Sequence, residues 1–183
     1  MSFFFENKDN TNKALIEKII MEKYNQYYRL AYSYVHNEED AGDIVQNGAY
    51  KALRNSHSLH KPEFAETWIY RIMLNECFRY LKQPSFISYE DMQEEQGLEI
   101  IQIEDNYPNI DLQKALDTLP QKDKAIIILK YFEDKKLDEI ACILAENVNT
   151  VKSRLYRSLK KLQEALSDEV SHNEKELRCE KGR

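Results

Sequence analysis

The chain has 183 residues and a formal charge of −6, with only four glycines and four prolines. That length suits one medium domain or two small ones. Scarce turn residues and scarce strand-like alternation exclude a β-rich fold and leave an all-α class. No stretch approaches the ~18 uninterrupted apolar residues of a membrane span, so no membrane insertion is expected and the chain reads as cytoplasmic.

The acidity is segregated. Residues 1–82 hold eleven acids and eleven bases, residues 83–110 seven acids and no base, and residues 111–166 nine acids and eleven bases. A binding face senses its local field rather than the net charge, so the negative total does not veto a basic reading surface. Cys77, Cys142 and Cys179 are unclustered; the first two fall inside helical apolar patterns and read as reduced, buried thiols.

The first helix is expected from about Lys13 to Val35, with Leu15, Ile16, Ile19, Ile20, Tyr24, Tyr27, Tyr28, Ala31 and Val35 on one stripe. Asn37 is a fitting N-cap for a second helix, and Glu38, Glu39 and Asp40 place negative charge on its first turn. Ala41, Ile44, Val45, Ala49, Ala52 and Leu53 give that helix its buried side. A polar loop, Asn55 to Glu63, leads to a third helix from about Phe64 to Lys82. Trp68, Ile69, Ile72, Met73 and Leu81 point inward there, and Tyr70, Arg71, Asn75, Phe78, Arg79 and Lys82 outward. Gln83 to Ile110 opens with Pro84, carries its seven acids without countercharge and reads as a linker. Helices resume with Asp111 as N-cap of a segment through Leu119, and Pro120 opens another that ends near Phe132. Two small helical domains, 12–82 and 111–166, are thus joined by an acidic linker, 83–110, and followed by a charged tail, 167–183.

Leu137 to Leu166 has the pattern of a helix-turn-helix. Leu137, Ile140, Ala141 and Leu144 form a short amphipathic helix, Glu146 and Asn147 the turn, and Val148, Val151, Leu155, Leu159, Leu162 and Leu166 the buried stripe of a second helix. Between Asn149 and Gln163 stand Lys152, Arg154, Arg157, Lys160 and Lys161 with no acid. Asn149, Thr150 and Ser153 add short polar side chains near the helix start, where backbone N–H groups favour phosphate oxygens. Arginines on the early turns suit guanine O6 and N7; later lysines suit the backbone. A cationic helix face is also what an ordinary solvated helix shows, but the short helix, tight turn and unbroken basic face together point to DNA.

From Asn147 to Arg157 the run Asn-Val-Asn-Thr-Val-Lys-Ser-Arg-Leu-Tyr-Arg resembles the region-four signature of extracytoplasmic-function sigma factors, usually worded Pro-x-Gly-Thr-Val-Lys-Ser-Arg-Leu. Leu116-Asp-Thr-Leu-Pro120, Leu129-Lys-Tyr-Phe-Glu133 and Asp138-Glu-Ile-Ala141 resemble the same domain. Tyr27-Tyr-Arg-Leu-Ala-Tyr-Ser-Tyr, Glu39-Asp-Ala-Gly-Asp-Ile-Val-Gln46 and Thr67-Trp-Ile-Tyr-Arg-Ile-Met-Leu-Asn75 look like region two. Each motif is weak alone; their order and separation, from Tyr24 to Leu166, make the set specific.

The resemblance implies a non-enzymatic subunit with three kinds of partner: core RNA polymerase, promoter DNA and an anti-sigma factor. Polymerase docking would involve Asp40, Asp43, Ile44, Gln46 and Asn47. The minus-ten element would be melted and held by Asn55, Ser56, His57, Lys61, Phe64, Arg71, Asn75 and Arg79, since a displaced strand needs polar atoms for base edges and cations for phosphates. The minus-thirty-five element would be read by Asn149, Thr150, Lys152, Ser153, Arg154, Arg157, Lys160 and Lys161. The acidic linker would thread the polymerase's RNA-exit path as an RNA mimic; a solvated tether explains the same charge. The chain departs from the family pattern at Asn147 and Asn149, at Asp134-Lys-Lys136, where a glycine, a leucine and a capping serine are usual, and at Asn47-Gly-Ala49. Gly48 costs roughly 1 kcal/mol against alanine within a helix.

Other classes fit less well. No glycine-rich phosphate loop or nucleophile motif occurs, so no catalytic residue and no cofactor are expected. His57 and His60 share a loop without a cysteine or third ligand nearby, so no metal site is expected. An ordinary dimeric regulator would bind duplex DNA without polymerase, and a helical adaptor would bind only proteins.

Overall fold

The computed structural model describes residues 2–82 and 110–180, which contain eight α-helices and two 3-10 turns. The expected linker lies outside the described residues apart from Ile110. α1 spans Ser2–Glu22, α2 Tyr24–Val35 and α3 Glu38–Arg54; 3-10 turns at Ser56–Ser58 and Pro62–Phe64 lead into α4, Ala65–Tyr80. The C-terminal half comprises α5 (Ile110–Asp117), α6 (Gln121–Tyr131), α7 (Leu137–Leu144) and α8 (Val148–Glu180).

One expected helix is two. The chain breaks at Lys23, with φ −114° and ψ 16°, and the Lys23 side chain leaves to meet Glu66 at 2.8 Å. α1 also begins well before Lys13, because Asn12 serves as an interior residue rather than a cap. It is buried and donates to the carbonyls of Ser56 and Leu59 at 2.9 and 3.0 Å, satisfying backbone groups of the turn that follows α3. The predicted Asn37 cap is present, its Oδ1 accepting from the Asp40 N–H at 3.0 Å.

At Gly48 the backbone of α3 packs against the Met73 side chain of α4. A Cβ built there would lie 2.3 Å from the Met73 sulfur, so the glycine makes the crossing and its intrinsic helix cost is offset by that approach. Tyr70, expected on the outer side of α4, is fully buried. Its ring meets Tyr27 edge-on at 4.9 Å and its hydroxyl donates to Glu133 at 2.7 Å. Sequence periodicity could not show this, because the cover comes from a segment 63 residues away.

In the C-terminal half, Pro120 caps α6 from just outside it. Asp134 takes a left-handed conformation, φ 48°, which an aspartate tolerates better than most residues, so the missing glycine is replaced at small cost. The absent capping serine is replaced from the other side: Glu139 accepts from the Lys136 N–H at 2.8 Å. Ala145 reverses the chain with φ 53°, and Asn147 caps the next helix by accepting from the Asn149 N–H at 2.8 Å. α8 does not stop near Leu166 but continues to Glu180.

The two halves meet through α4 and α7 and through a polar seam. Tyr34 donates to the Gln121 carbonyl at 3.0 Å, and Gln113 donates to the Ser33 carbonyl at 3.3 Å. Lys124 is buried against Asp117, the Ser33 carbonyl and the Tyr34 ring. The Ser33 carbonyl belongs to the last turn of α2, where a cation meets the negative end of the helix dipole.

Candidate nucleic-acid interface

α8 presents two opposite faces. Val151, Leu155, Ser158 and Leu162 are buried, three and four residues apart as one helix face demands. Asn149, Thr150, Lys152, Ser153, Arg157, Lys160 and Lys161 are all solvent-exposed. Short α7 and the Ala145 reversal seat one face of this helix on the rest of its domain and leave the opposite face outward, the arrangement of a recognition helix that enters a major groove. Tyr156, which the sequence reading passed over, is 62% exposed in the middle of the basic face. Its signal was available: at about 100° per residue it lies away from the Val151–Leu162 stripe. Arg154 is different. Only 29% exposed, it holds Asp123 at 2.9 Å and faces Glu146 at 3.5 Å.

The expected minus-ten residues divide into four groups. Asn55, His57, Lys61 and Phe64 are exposed along the two 3-10 turns, with the Lys61 ammonium 5.8 Å from the Phe64 ring centre. Arg71 and Asn75 are exposed on α4, but with Phe78 they line a cleft of about 150 Å³ closed on its far side by Lys122, Ile143, Leu144 and Ala145 of the C-terminal half. Arg79 is tied to the buried Glu76 at 2.6 Å, which Lys51 also reaches at 2.5 Å. Ser56 does not belong to a contact surface: it is fully buried and its hydroxyl bonds Asp9. Its burial follows from the same turn that Asn12 caps.

Of the expected docking residues on α3, Asp43, Gln46 and Asn47 are exposed and Asp40 is half-buried. The Asp40 carboxylate accepts from Tyr80, pushing that phenol up to about 12. Ile44 is 3% exposed and belongs to the core, because it falls on the same stripe as Ala41, Val45 and Ala52. Instead, the apolar part of this surface is a groove of about 460 Å³ floored by Ile20, Tyr24, Val45 and Ala49 and rimmed by Glu38, Glu39 and Asp43. Tyr24 had been expected in the buried stripe; the break at Lys23 turns it outward.

Between the halves lies a buried ionisable cluster. Burial pushes the Glu133 carboxyl up, while the Tyr70 hydroxyl and the charges of Arg29, Lys135 and Lys23 pull it back. Burial also opposes ionisation of Glu66, but Lys135 and Lys23 together hold its carboxyl below the usual range. Among the described residues no group of three or more histidines, cysteines or carboxylates could hold a metal, and no helix is long and apolar enough to cross a membrane.

Residues 19–85 match the family model Sigma-70 region 2, and residues 110–162 match Sigma-70, region 4. The chain is 43% identical over 164 residues to the RNA polymerase sigma factor SigV of Bacillus subtilis, covering 88% of this chain and 97% of that protein. It is 30% identical to the ECF RNA polymerase sigma factor SigW of the same organism, over 77% of this chain and 83% of that one. Among solved structures, the fold is similar to the sigma factor RpoE of Bartonella quintana, crystallised with the anti-sigma factor NepR. The TM-score is 0.65 at 22% identity, over 82% of this chain and 96% of the other. CnrH in complex with the cytosolic domain of CnrY gives 0.64 at 18% identity, over 91% and 96%. Two domain matches in the right order and a full-length relative at 43% identity establish that the chain belongs to the extracytoplasmic-function family of RNA polymerase sigma factors, alternative subunits that bind core polymerase and direct it to particular promoters.

Proposed function

We propose that residues 12–82 and 111–166 are the working units of this sigma factor and divide the promoter between them, acting by binding in the cytoplasm and not by catalysis. The exposed face of α8 reads the minus-thirty-five element: Asn149, Thr150, Ser153, Tyr156 and Arg157 meet base edges and nearby phosphates, and Lys152, Lys160 and Lys161 hold the backbone. Asn55, His57, Lys61 and Phe64, with Arg71, Asn75 and Arg79 behind them, take the displaced minus-ten strand; Phe64 offers the stacking surface such capture uses. The groove beside α3, apolar on its floor and acidic at its rim, docks a basic amphipathic element of core polymerase.

The observation that carries this reading is the contrast on α8 between a buried stripe and an exposed face that from Asn149 to Gln163 holds cations and no acid. Distance adds a requirement. The two promoter elements lie about 25 base pairs apart, roughly 85 Å of B-form DNA at 3.4 Å per step. A compact chain of this length is about 40 Å across. The closed arrangement therefore cannot touch both elements, whereas the segment 83–110 can reach roughly 95 Å when extended. Polymerase binding must part the halves, opening the cleft that Arg71 and Asn75 line. The likeness to RpoE, crystallised with the anti-sigma factor NepR, supports an anti-sigma factor as a partner of this chain.

Reconstitution tests the reading. Run-off transcription with core polymerase should start at a minus-thirty-five/minus-ten promoter only when the chain is added, and the free chain should shift duplex DNA weakly at physiological salt. Tight, sequence-specific duplex binding without polymerase would instead make it an ordinary regulator.

A further inference from the structure

We propose that Arg154, although it lies within the recognition helix, is a positioning residue that fixes the angle of α8 and does not itself read a base. The proposal rests on α8 being the minus-thirty-five reading helix. Counting about 100° per residue, Ser153, Arg157 and Lys160 lie opposite the Val151–Leu155–Leu162 stripe, while Arg154 lies beside it. Its guanidinium accordingly turns inward. Nη1 donates to Asp123 at 2.9 Å, in the first turn of α6, and Nε stands 3.5 Å from Glu146, in the turn before α8. Lys122 holds the other Glu146 oxygen at 2.8 Å.

The energetics favour this arrangement over an outward swing. The Asp123 and Glu146 side chains are only 9% and 13% exposed. The Glu146 oxygen facing Arg154 is buried and makes no hydrogen bond, so among the described residues the guanidinium is the cation that faces it, while Lys122 holds the other oxygen. Moving Arg154 to a guanine would take the guanidinium from two poorly solvated carboxylates, leaving Glu146 with Lys122 alone and Asp123 without that ion pair, and removing one partner of such a set is costly. Staying in place, it ties together the start of α6, the turn and the recognition helix. Which base edges Ser153, Tyr156 and Arg157 reach depends on that angle, and a site is only as accurate as the shell supporting it.

The test uses the full chain with core polymerase, binding a set of promoter fragments with each minus-thirty-five base varied in turn, at several salt concentrations. Arg154→Ala and Asp123→Asn should each weaken every fragment by about tenfold alike, and the double variant should lose no more than Arg154→Ala alone, the signature of one shared interaction. Arg154→Lys should recover part of the loss with the ranking intact, and the dependence on salt should keep its slope. Arg157→Ala, by contrast, should reorder the fragments. Should Arg154→Ala misfold by circular dichroism, Asp123→Asn, which keeps the side chain's shape, and Arg154→Lys carry the comparison.

A reordering at one base pair by Arg154→Ala, with Asp123→Asn silent, would show Arg154 reading that base and overturn the proposal. A salt slope lower by about one would overturn it in favour of a phosphate contact. Lowered thermal stability with unchanged affinity per folded molecule would reduce Arg154 to a merely structural residue. A wild-type holoenzyme indifferent to the minus-thirty-five sequence would instead sink the assignment of α8, and the proposal with it.

Discussion

In region 4 the candidate reading surface lies along one helix, whose opposite face packs into its own domain, and is open along a face of more than three turns. In region 2 it is spread over two 3-10 turns and the flank of α4, and that flank faces the other domain across a narrow cleft. The first surface is complete as it stands. The second, on the reading proposed above, is fully open only when the domains separate. A helix face needs only its own periodicity and a short turn, whereas a surface built from loops and an interdomain wall depends on where a distant segment sits. Burial follows the same division: Arg157 is exposed, but Tyr70, on what its own helix would present as a polar side, is sealed beneath Glu133.

The largest effect should come from damaging the scaffold of region 2. Gly48→Val forces side-chain atoms into the space of Met73, itself 1% exposed. Overpacking of this kind costs about 1–3 kcal/mol, or a midpoint lower by roughly 2–12 °C. Thermal unfolding by circular dichroism checks it; an unchanged midpoint would mean that Met73 has room to yield and that α3 and α4 do not need their close approach.

Next come the two ends of the α8 face. Losing Arg157 should cost about 1–3 kcal/mol at a single base pair and change promoter preference there. Losing Lys161, one turn later and exposed, should weaken all promoters together and lower the salt slope by about one. Filter binding of the holoenzyme across promoter and salt series distinguishes them. Identical behaviour of the two variants would mean that α8 has no division between reading and holding.

The smallest effect concerns the seam. Glu133 is raised by burial, so the folded chain holds its proton more tightly than the unfolded chain does. Stability must then fall as pH rises from the unfolded value, about 4.3, through the folded one. Glu66 is lowered, so its contribution is present above that unfolded value and is lost only below it. Of these two carboxylates it is therefore Glu133 that governs the range just above the unfolded value. Denaturant unfolding across that range should show a declining stability that Glu133→Gln flattens; equal slopes in the two chains would remove Glu133 from the seam's balance.

Much of region 4 could be read from the residues because its signals are local. Asn147 beside Val148, the three- and four-residue recurrence from Val151 to Leu162, and cations without acids all lie within a few turns of one another. The interior position of Ser56 depends on Asn12, 44 residues earlier, and the burial of Tyr70 on Glu133, so neither could be read from its own neighbourhood. Ile44 shows a different limit: the family resemblance placed it at a docking site, while its own periodicity placed it in the core, and the periodicity was the better guide. Arg154 combines both cases, since the sequence shows a cation on a basic helix but not the two carboxylates that turn it inward.

The claim that the region 2 surface is completed only by separation can be measured directly. A donor and acceptor dye placed at Glu63, beside the minus-ten turns, and at Gln163, on exposed α8, report the distance between the halves. In the free chain the pair should sit within the ~40 Å of the compact form. In holoenzyme on promoter DNA it should move apart towards the roughly 85 Å between the promoter elements. The same short distance in the active holoenzyme would contradict the account.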